Sequence, residues 1–489
     1  QLELPRSGEH RIYMDTRLRL WIYTIYTSNL QCYDIQNRKM FEFPGKETIQ
    51  SDIVKAIIDD GNGNIWIGTN SKGIYILNEQ ADNLMHIHRD SGTPFSLSSN
   101  HINSFYKDNQ DILWVGTTKQ GVAFTDLNNT AFEICKTPEQ EDISCFQEDR
   151  NGKLWLGFDG KGLACYDSKQ INYKLFNTHN SNIPSNLIIG SYLDSKGKMW
   201  FGSYGGGIFY EQNGIFFPFK QTLEPIEYVR HIADDKYGNL WVGTFMHGLY
   251  CIDNGGKITS YTKENSCLYT NTITDLVYSS DHAMLYIGTS TGLYELNTQT
   301  QQLAPVKGND NEVSLIKMHI SCLYRDQRGL LWIGTRHGIR IYDEKSRTLT
   351  RLSTNDGVSH PYIRGIVEDH NKNMWIATDC GITHIIVVDD PTAQELQYRC
   401  YSYFNEDGIG DITFNNYSIY CNRKGEVLMG GTGKYLKIDP NQALYHPNQH
   451  KVIFTGLYLA NQRVDVEKKM HDGRILLQKN IQLLDEITM

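Results

Sequence analysis

Residues 238–253 read GNLWVGTFMHGLYCID. An apolar run, Leu240-Trp241-Val242, meets Gly243-Thr244, three loop residues and Gly248, and a second run, Leu249-Tyr250-Cys251-Ile252, follows at once. β-Branched and aromatic residues suit a pleated, half-buried surface. A glycine just before the second run supplies the positive φ that a tight turn needs. The stretch therefore predicts a β-hairpin.

The same phrase recurs along the chain. It is GNIWIGTNSKGIYIL around Trp66, DILWVGTTKQGVAF around Trp114, GKLWLGFDGKGLACYD around Trp155 and GKMWFGSYGGGIFY around Trp200. Further on it is GLLWIGTRHGIRIYD around Trp332 and NMWIATDCGITHI around Trp375, with a degenerate first copy, LRLWIYTIYTSNLQCYD, around Trp21. Two copies lack the Trp: MLYIGTSTGLYEL carries Tyr286 in its place and GEVLMGGTGKYLKIDP carries Leu428. All eight Trp of the chain thus fall in one register of ten units, at a mean period of about 45 residues.

Each unit has one grammar. An apolar stretch such as YVRHIADD (228–235) precedes an Asp-x-x-Gly-type turn, then the Trp strand, a short loop, a strand such as LYCID and a looser strand such as KITSYT. Four short strands per unit, repeated many times without a 3.6-residue apolar period, predict an all-β fold of β-propeller blades. A solenoid of this period would carry helices, and a sandwich has no reason to repeat one Trp. The Trp is expected to pack between neighbouring blades, which is a structural role and not a catalytic one.

Composition fits. The chain has 489 residues, 40% hydrophobic and 21% charged, enough to bury a core. The formal net charge of −9 argues against a nucleic-acid binder. No apolar run approaches the length of a membrane span. The opening QLELPRSGEHR has no signal-peptide core, so the chain is expected to be either cytosolic or already trimmed.

Spacing divides the units. Seven, from Trp155 to Leu428, make a common closed ring size, and the expected organisation is one complete seven-bladed propeller over 137–445. Residues 1–136 would be the last blades of an incomplete first propeller, because three blades cannot close. An open ten-bladed ring is the alternative. TAFEICK (130–136) could add the outer strand of the last blade, since little strand signal follows Pro440. From Lys451 the pattern changes: KVIFTGLYLANQRVDVEKK reads as two strands about an Asn-Gln turn, so 446–489 is expected to begin a β-sandwich.

The phrase D-x-x-G-x-L-W-I-G-T-x-x-G-L resembles the two-component-regulator propeller repeat, found in the periplasmic sensor regions of Bacteroidetes hybrid two-component systems. YFNEDGIGDITFNNYSIYCNRKGEVLMGGTGKYLKIDP resembles that family's last blade, and KVIFTGLYLANQRV the opening of its immunoglobulin-like domain named for three tyrosines. The resemblance implies two seven-bladed propellers, then that domain, a membrane helix, and cytoplasmic kinase, receiver and DNA-binding modules. Part of the first propeller, most of the sandwich and all later modules lie outside this chain. The implied role is periplasmic ligand sensing that controls polysaccharide-utilisation genes, with no enzymatic activity and no cofactor in this chain. The implied partners are an oligosaccharide, a membrane attachment through a segment outside the chain and, in a homodimer, a second copy.

Other motifs carry less. GTSTG (288–292) matches a nucleophile elbow, but LYEL follows where a helix is needed, so Ser290 is not expected to be catalytic. GGTGK (430–434) lacks the spacing of a phosphate loop. Asp149 and Gly152 are too far apart for a sialidase Asp-box, and His86-Ile87-His88 lacks further ligands for a metal. Among the ten cysteines, Cys32, Cys165 and Cys251 share one strand position and Cys145 and Cys322 another, the pattern of core fillers. No obligatory disulfide framework is expected, and the pairing of Cys135, Cys267, Cys380, Cys400 and Cys421 stays open.

What varies on the constant scaffold is the channel mouth. The hairpin loops carry Asp159 with Lys161, Tyr204, Phe245 with His247, Arg336 with His337, and Asp379. The second position of the innermost strand shows Ser144, Ile189, Arg230, Thr274, Ser321, Arg364 and Asn416. Aromatic faces beside Arg, Asp and His suit sugar rings with hydroxyls or acid groups. The expected ligand-binding set is Arg230, Arg364, Tyr204, Phe245, His247, Arg336, His337, Asp159 and Asp379, with Asp159 and Asp379 as candidate carboxylate partners of the two innermost-strand arginines. A propeller lyase or glycosidase and a protein-interaction scaffold are the rival readings.

Overall fold

The computed structural model describes residues 9–78, 83–89, 96–127, 131–137, 140–168, 172–219, 226–307, 315, 317–388, 396–443, 458–459 and 462–466. Each repeat folds as one meandering antiparallel sheet. In the Trp241 unit the strands are Val229–Asp234, Leu240–Thr244, Leu249–Ile252 and Ile258–Tyr261, paired in that order. Gly248 takes φ 81° in the hairpin, a conformation costly for any residue with a Cβ. Gly157, in the Trp155 strand, serves a different need: a Cβ there would fall 2.5 Å from the Cys145 sulfur on the innermost strand.

Seven such four-stranded sheets are present among the described residues beyond 131. Their innermost strands are Ile143–Glu148, Ile188–Leu193, Val229–Asp234, Ile273–Ser279, Ile320–Arg325, Ile363–Glu368 and Phe414–Cys421. Each packs against the next, and the last against the first, so the sheets close into a circle around a channel. The closing sheet takes its outer strand, Phe132–Lys136, from ahead of the circle; Ile134 lies opposite Leu436. This strand comes from residues 1–136, so the two expected regions interlock through it.

The core lies between sheets. Trp241 is fully buried against Leu268, Ile273, Leu276 and Leu285 of the neighbouring unit, and Trp332 likewise against Ile363, Ile366 and Met374. Apolar surface removed from water this way contributes roughly 25 cal/mol per Å².

Three further sheets precede the circle: His10–Met40, Val54–Ile87 and Ile102–Asp126. The third has three strands among the described residues and leaves Tyr106, Val122 and Phe124 about two-thirds exposed (66%, 64% and 63%). The chain divides into two compact units, Gln1–Leu444 and Tyr445–Met489. In the second, Tyr458–Leu459 pairs with Gln462–Arg463 as an antiparallel hairpin. The rest of the expected sandwich lies outside the described residues. Among the described residues no helix is long and apolar enough to cross a membrane.

Candidate functional site

In six of the seven innermost strands the ladder skips one residue. The skipped residues are Ser144, Ile189, Arg230, Thr274, Ser321 and Arg364. A β-bulge frees its extra residue from the ladder and re-aims the side chain. The closing sheet goes further: between the pairs Phe414–Gly431 and Ile419–Met429, four residues, Asn415–Ser418, stand opposite Gly430 alone. Within this extended bulge Tyr417 takes φ 65°, which is uncommon outside glycine.

Bulge residues from four sheets, Arg230, Thr274, Ser321 and Asn416, line a cavity of about 390 Å³. Phe245, Ser290 and Arg336 join them from the hairpins, and Thr272, His319 and Tyr362 from the residues just before the innermost strands. Tyr417 also borders a second cavity, of about 430 Å³, with His231, Asp275, Tyr324, Glu368 and His370. The Arg230 guanidinium sits 5.1 Å from the centre of the Tyr417 ring, and His231 meets that ring edge-on at 4.6 Å. Tyr417 thus partitions the channel. Burial raises the pKa of its phenol, partly opposed by the Arg230 charge, so the hydroxyl stays protonated.

The two arginines at the bulge position differ. Arg364 bonds Asp379 through Nε and Asn416 Oδ1 through Nη1 at 3.0 Å, and its guanidinium lies 4.7 Å from the Tyr362 ring centre. Arg336 approaches the same ring at 5.7 Å. Arg230 has no carboxylate partner among the described residues, and its Nε is buried without a hydrogen bond. Three other buried atoms of this cavity share that state: Thr274 Oγ1, Ser321 Oγ and His319 Nδ1. Burial, then the Arg336 charge, lowers the His319 pKa, which keeps the ring neutral.

Of the expected residues, Arg230, Phe245 and Arg336 line this cavity, and Arg364 adjoins it through Tyr362 and Asn416. Tyr204 and His247 instead flank Tyr228, at 4.4 Å edge-on and 5.8 Å parallel, as an aromatic row on the rim. The His337 amide donates to Thr335 Oγ1 inside its own hairpin. Asp379 serves Arg364 as expected. Asp159 pairs with neither arginine: it is exposed, and its hairpin is tied by backbone to Asp142 and Leu187.

The bulge position alone misses Thr272, His319, Tyr362 and Tyr417. A signal existed for one of them: Tyr228-Val229-Arg230 and Tyr362-Ile363-Arg364 share a Tyr-aliphatic-Arg pattern at the start of two innermost strands. Ser290 sits in a hairpin with its hydroxyl 3.4 Å from Thr270 Oγ1, and strand Gly292–Asn297 follows, so no nucleophile elbow forms. The His86 ring is bonded to the Lys72 carbonyl, and no metal-holding cluster exists among the described residues.

Residues 48–71, 96–119, 224–246, 314–337 and 357–380 match the family described as Two component regulator propeller. Each match runs from the connection before an innermost strand, through the Trp strand, into the hairpin. Five stretches of the chain thus carry the two-component-regulator propeller repeat. Histidine kinase P4 of Formosa agariphila is 24% identical to this propeller chain over 545 aligned residues, covering 86% of the chain and 38% of its own length. The extracellular domain of a hybrid two component system from B. thetaiotaomicron superposes with a TM-score of 0.70 at 23% identity, covering 95% of this chain and 62% of its own. A second B. thetaiotaomicron extracellular domain, of a one component system, gives 0.53 at 19% identity, covering 99% and 64%. The propeller chain therefore spans under two-thirds of each of these relatives.

Proposed function

We propose that this chain is the ligand-sensing region of a periplasmic two-component regulator, and that it binds a glycan-derived oligosaccharide at the channel mouth to control polysaccharide-utilisation genes. One observation carries the reading: a cavity of about 390 Å³, in the usual range for ligand sites, whose wall holds buried polar atoms with nothing to bond. The aromatic row of Tyr204, Tyr228 and His247 beside it offers faces for sugar rings. Kinase chemistry and membrane attachment belong to parts of the protein outside this chain.

Calorimetric titration with a panel of plant and host oligosaccharides tests this. Saturable binding that Arg230→Ala weakens supports it, and the absence of saturable binding across the panel overturns it. The enzyme reading finds no paired carboxylates among the described residues lining this cavity. New reducing ends or unsaturated products after incubation would reinstate it.

A further inference from the structure

We infer that the group this cavity anchors is an anion, a carboxylate or sulfate ester carried on the saccharide, held by Arg230 with Arg336. The inference rests on the sensing reading above and narrows its ligand class.

The molecule contains its own control. Arg230 and Arg364 occupy the same bulge position in their sheets. Arg364 is neutralised by Asp379, the first residue of its hairpin after Thr378. The corresponding residue after Thr244 in the Arg230 sheet is Phe245. Where one sheet supplies a carboxylate, the other supplies a ring, and Arg230, which rests on the Tyr417 ring, keeps its charge without a carboxylate partner among the described residues. A half-buried guanidinium with no carboxylate beside it favours an anion or a strong acceptor.

The rest of the wall has the same bias. Arg230 and Arg336 are its charged lining residues among those described, although the whole chain carries a net charge of −9. The unpartnered Arg230 Nε can only donate, and the hydroxyls of Thr274 and Ser321 can donate to the same acceptor. Charge-assisted bonds to a carboxylate or sulfate are stronger than those to a neutral hydroxyl. Tyr417, which lines this cavity and the second one, lies against the Arg230 guanidinium.

The test uses this chain in calorimetry with two probe pairs: a uronate disaccharide against its carboxyl-reduced form, and a sulfated disaccharide against its desulfated form. Inorganic sulfate and phosphate are the further arms. Expected is at least tenfold tighter binding of one acidic member than of its neutral counterpart, weakening as salt rises. Phe245→Asp, which supplies the missing carboxylate at a half-exposed position, and Arg230→Ala should each remove that preference with the melting temperature little changed. Neutral members binding within threefold of acidic ones overturn the anion and leave the sensing reading standing. Inorganic sulfate or phosphate binding as tightly as the saccharides supports the anion and overturns the saccharide. Absence of binding by every acidic probe overturns the inference.

Discussion

The indole N–H of Trp241 donates to Asp235 Oδ2 at 2.9 Å, six residues back along the chain. Every Trp repeats this bond: Trp21 to Asp15, Trp66 to Asp60, Trp114 to Asp108, Trp155 to Asp149, Trp200 to Asp194, Trp332 to Asp326 and Trp375 to Asp369. The other carboxylate oxygen of Asp235 accepts the amides of Tyr237 and Asn239, so one side chain shapes the turn and anchors the ring. The two units without Trp also lack the Asp: Ser280 precedes Tyr286 and Asn422 precedes Leu428 at the same distance. Asn422 keeps the turn bonds, to the amides of Lys424 and Glu426, and drops only the indole.

A double-mutant cycle on Asp235→Ala and Trp241→Phe, read by urea unfolding, should therefore show coupling of about 1.5–3 kcal/mol, the range for a hydrogen bond to a charged group. Trp114→Phe should cost less than Trp241→Phe, because Trp114 is 39% exposed and Trp241 is fully buried. Equal costs would remove the packing role assigned to these rings.

Ring closure rests on the pairing of Phe132–Lys136 with Lys434–Ile438. The Asp439 amide donates to Ala131 and the Thr137 amide to Gly433, which makes the odd-numbered residues of that strand the hydrogen-bonded ones. Cys135→Pro therefore deletes a ladder donor and should destabilise by about 1–3 kcal/mol. Amide exchange should then quicken in 427–438 before it does in the Trp241 sheet. Uniform quickening would mean that the sheets do not open separately.

His384 lies flat on Trp375, ring centres 4.2 Å apart, and burial lowers its pKa from 6.5 to about 4. Between those values the unfolded chain holds the extra proton, so this group's contribution to stability is full above pH 6.5 and is lost as pH falls toward 4. Relative to His384→Phe, the native chain should lose about 3 kcal/mol across that window. Parallel stability profiles for the two proteins would contradict it.

All ten cysteines are free, and Cys267 and Cys380 are the exposed ones. Burial pushes the Cys32, Cys165 and Cys251 thiols up to about 12, each directly opposite a repeat Trp. A thiol reagent at pH 8 should modify two groups quickly in the native protein and all ten after denaturation without reductant. Fewer than ten would reveal a disulfide.

The scaffold was legible because its instructions are local. An Asp, a turn glycine, a Trp and a hairpin glycine lie within one short phrase, and each phrase specifies its own strands whatever surrounds it. The channel mouth was only partly legible, because it is assembled from units far apart in sequence. Arg230 and Arg336 could be placed by register. Tyr417 could not, since its position depends on three extra residues in one bulge, which a constant period hides. Asp159 shows the opposite error: correct register, but the bulge residue of its own sheet is Ser144, so no arginine stands where Arg364 meets Asp379.

The extended bulge has a mechanical meaning. The sheet that pushes Tyr417 and Asn416 into the cavity wall is also the sheet fastened by Phe132–Lys136, and the one from which the chain runs on past Asp439. Whatever fills the cavity touches, through Asn416 and Tyr417, the sheet where the polypeptide both enters and leaves the circle. Force applied there has the shortest covalent route out of the ring.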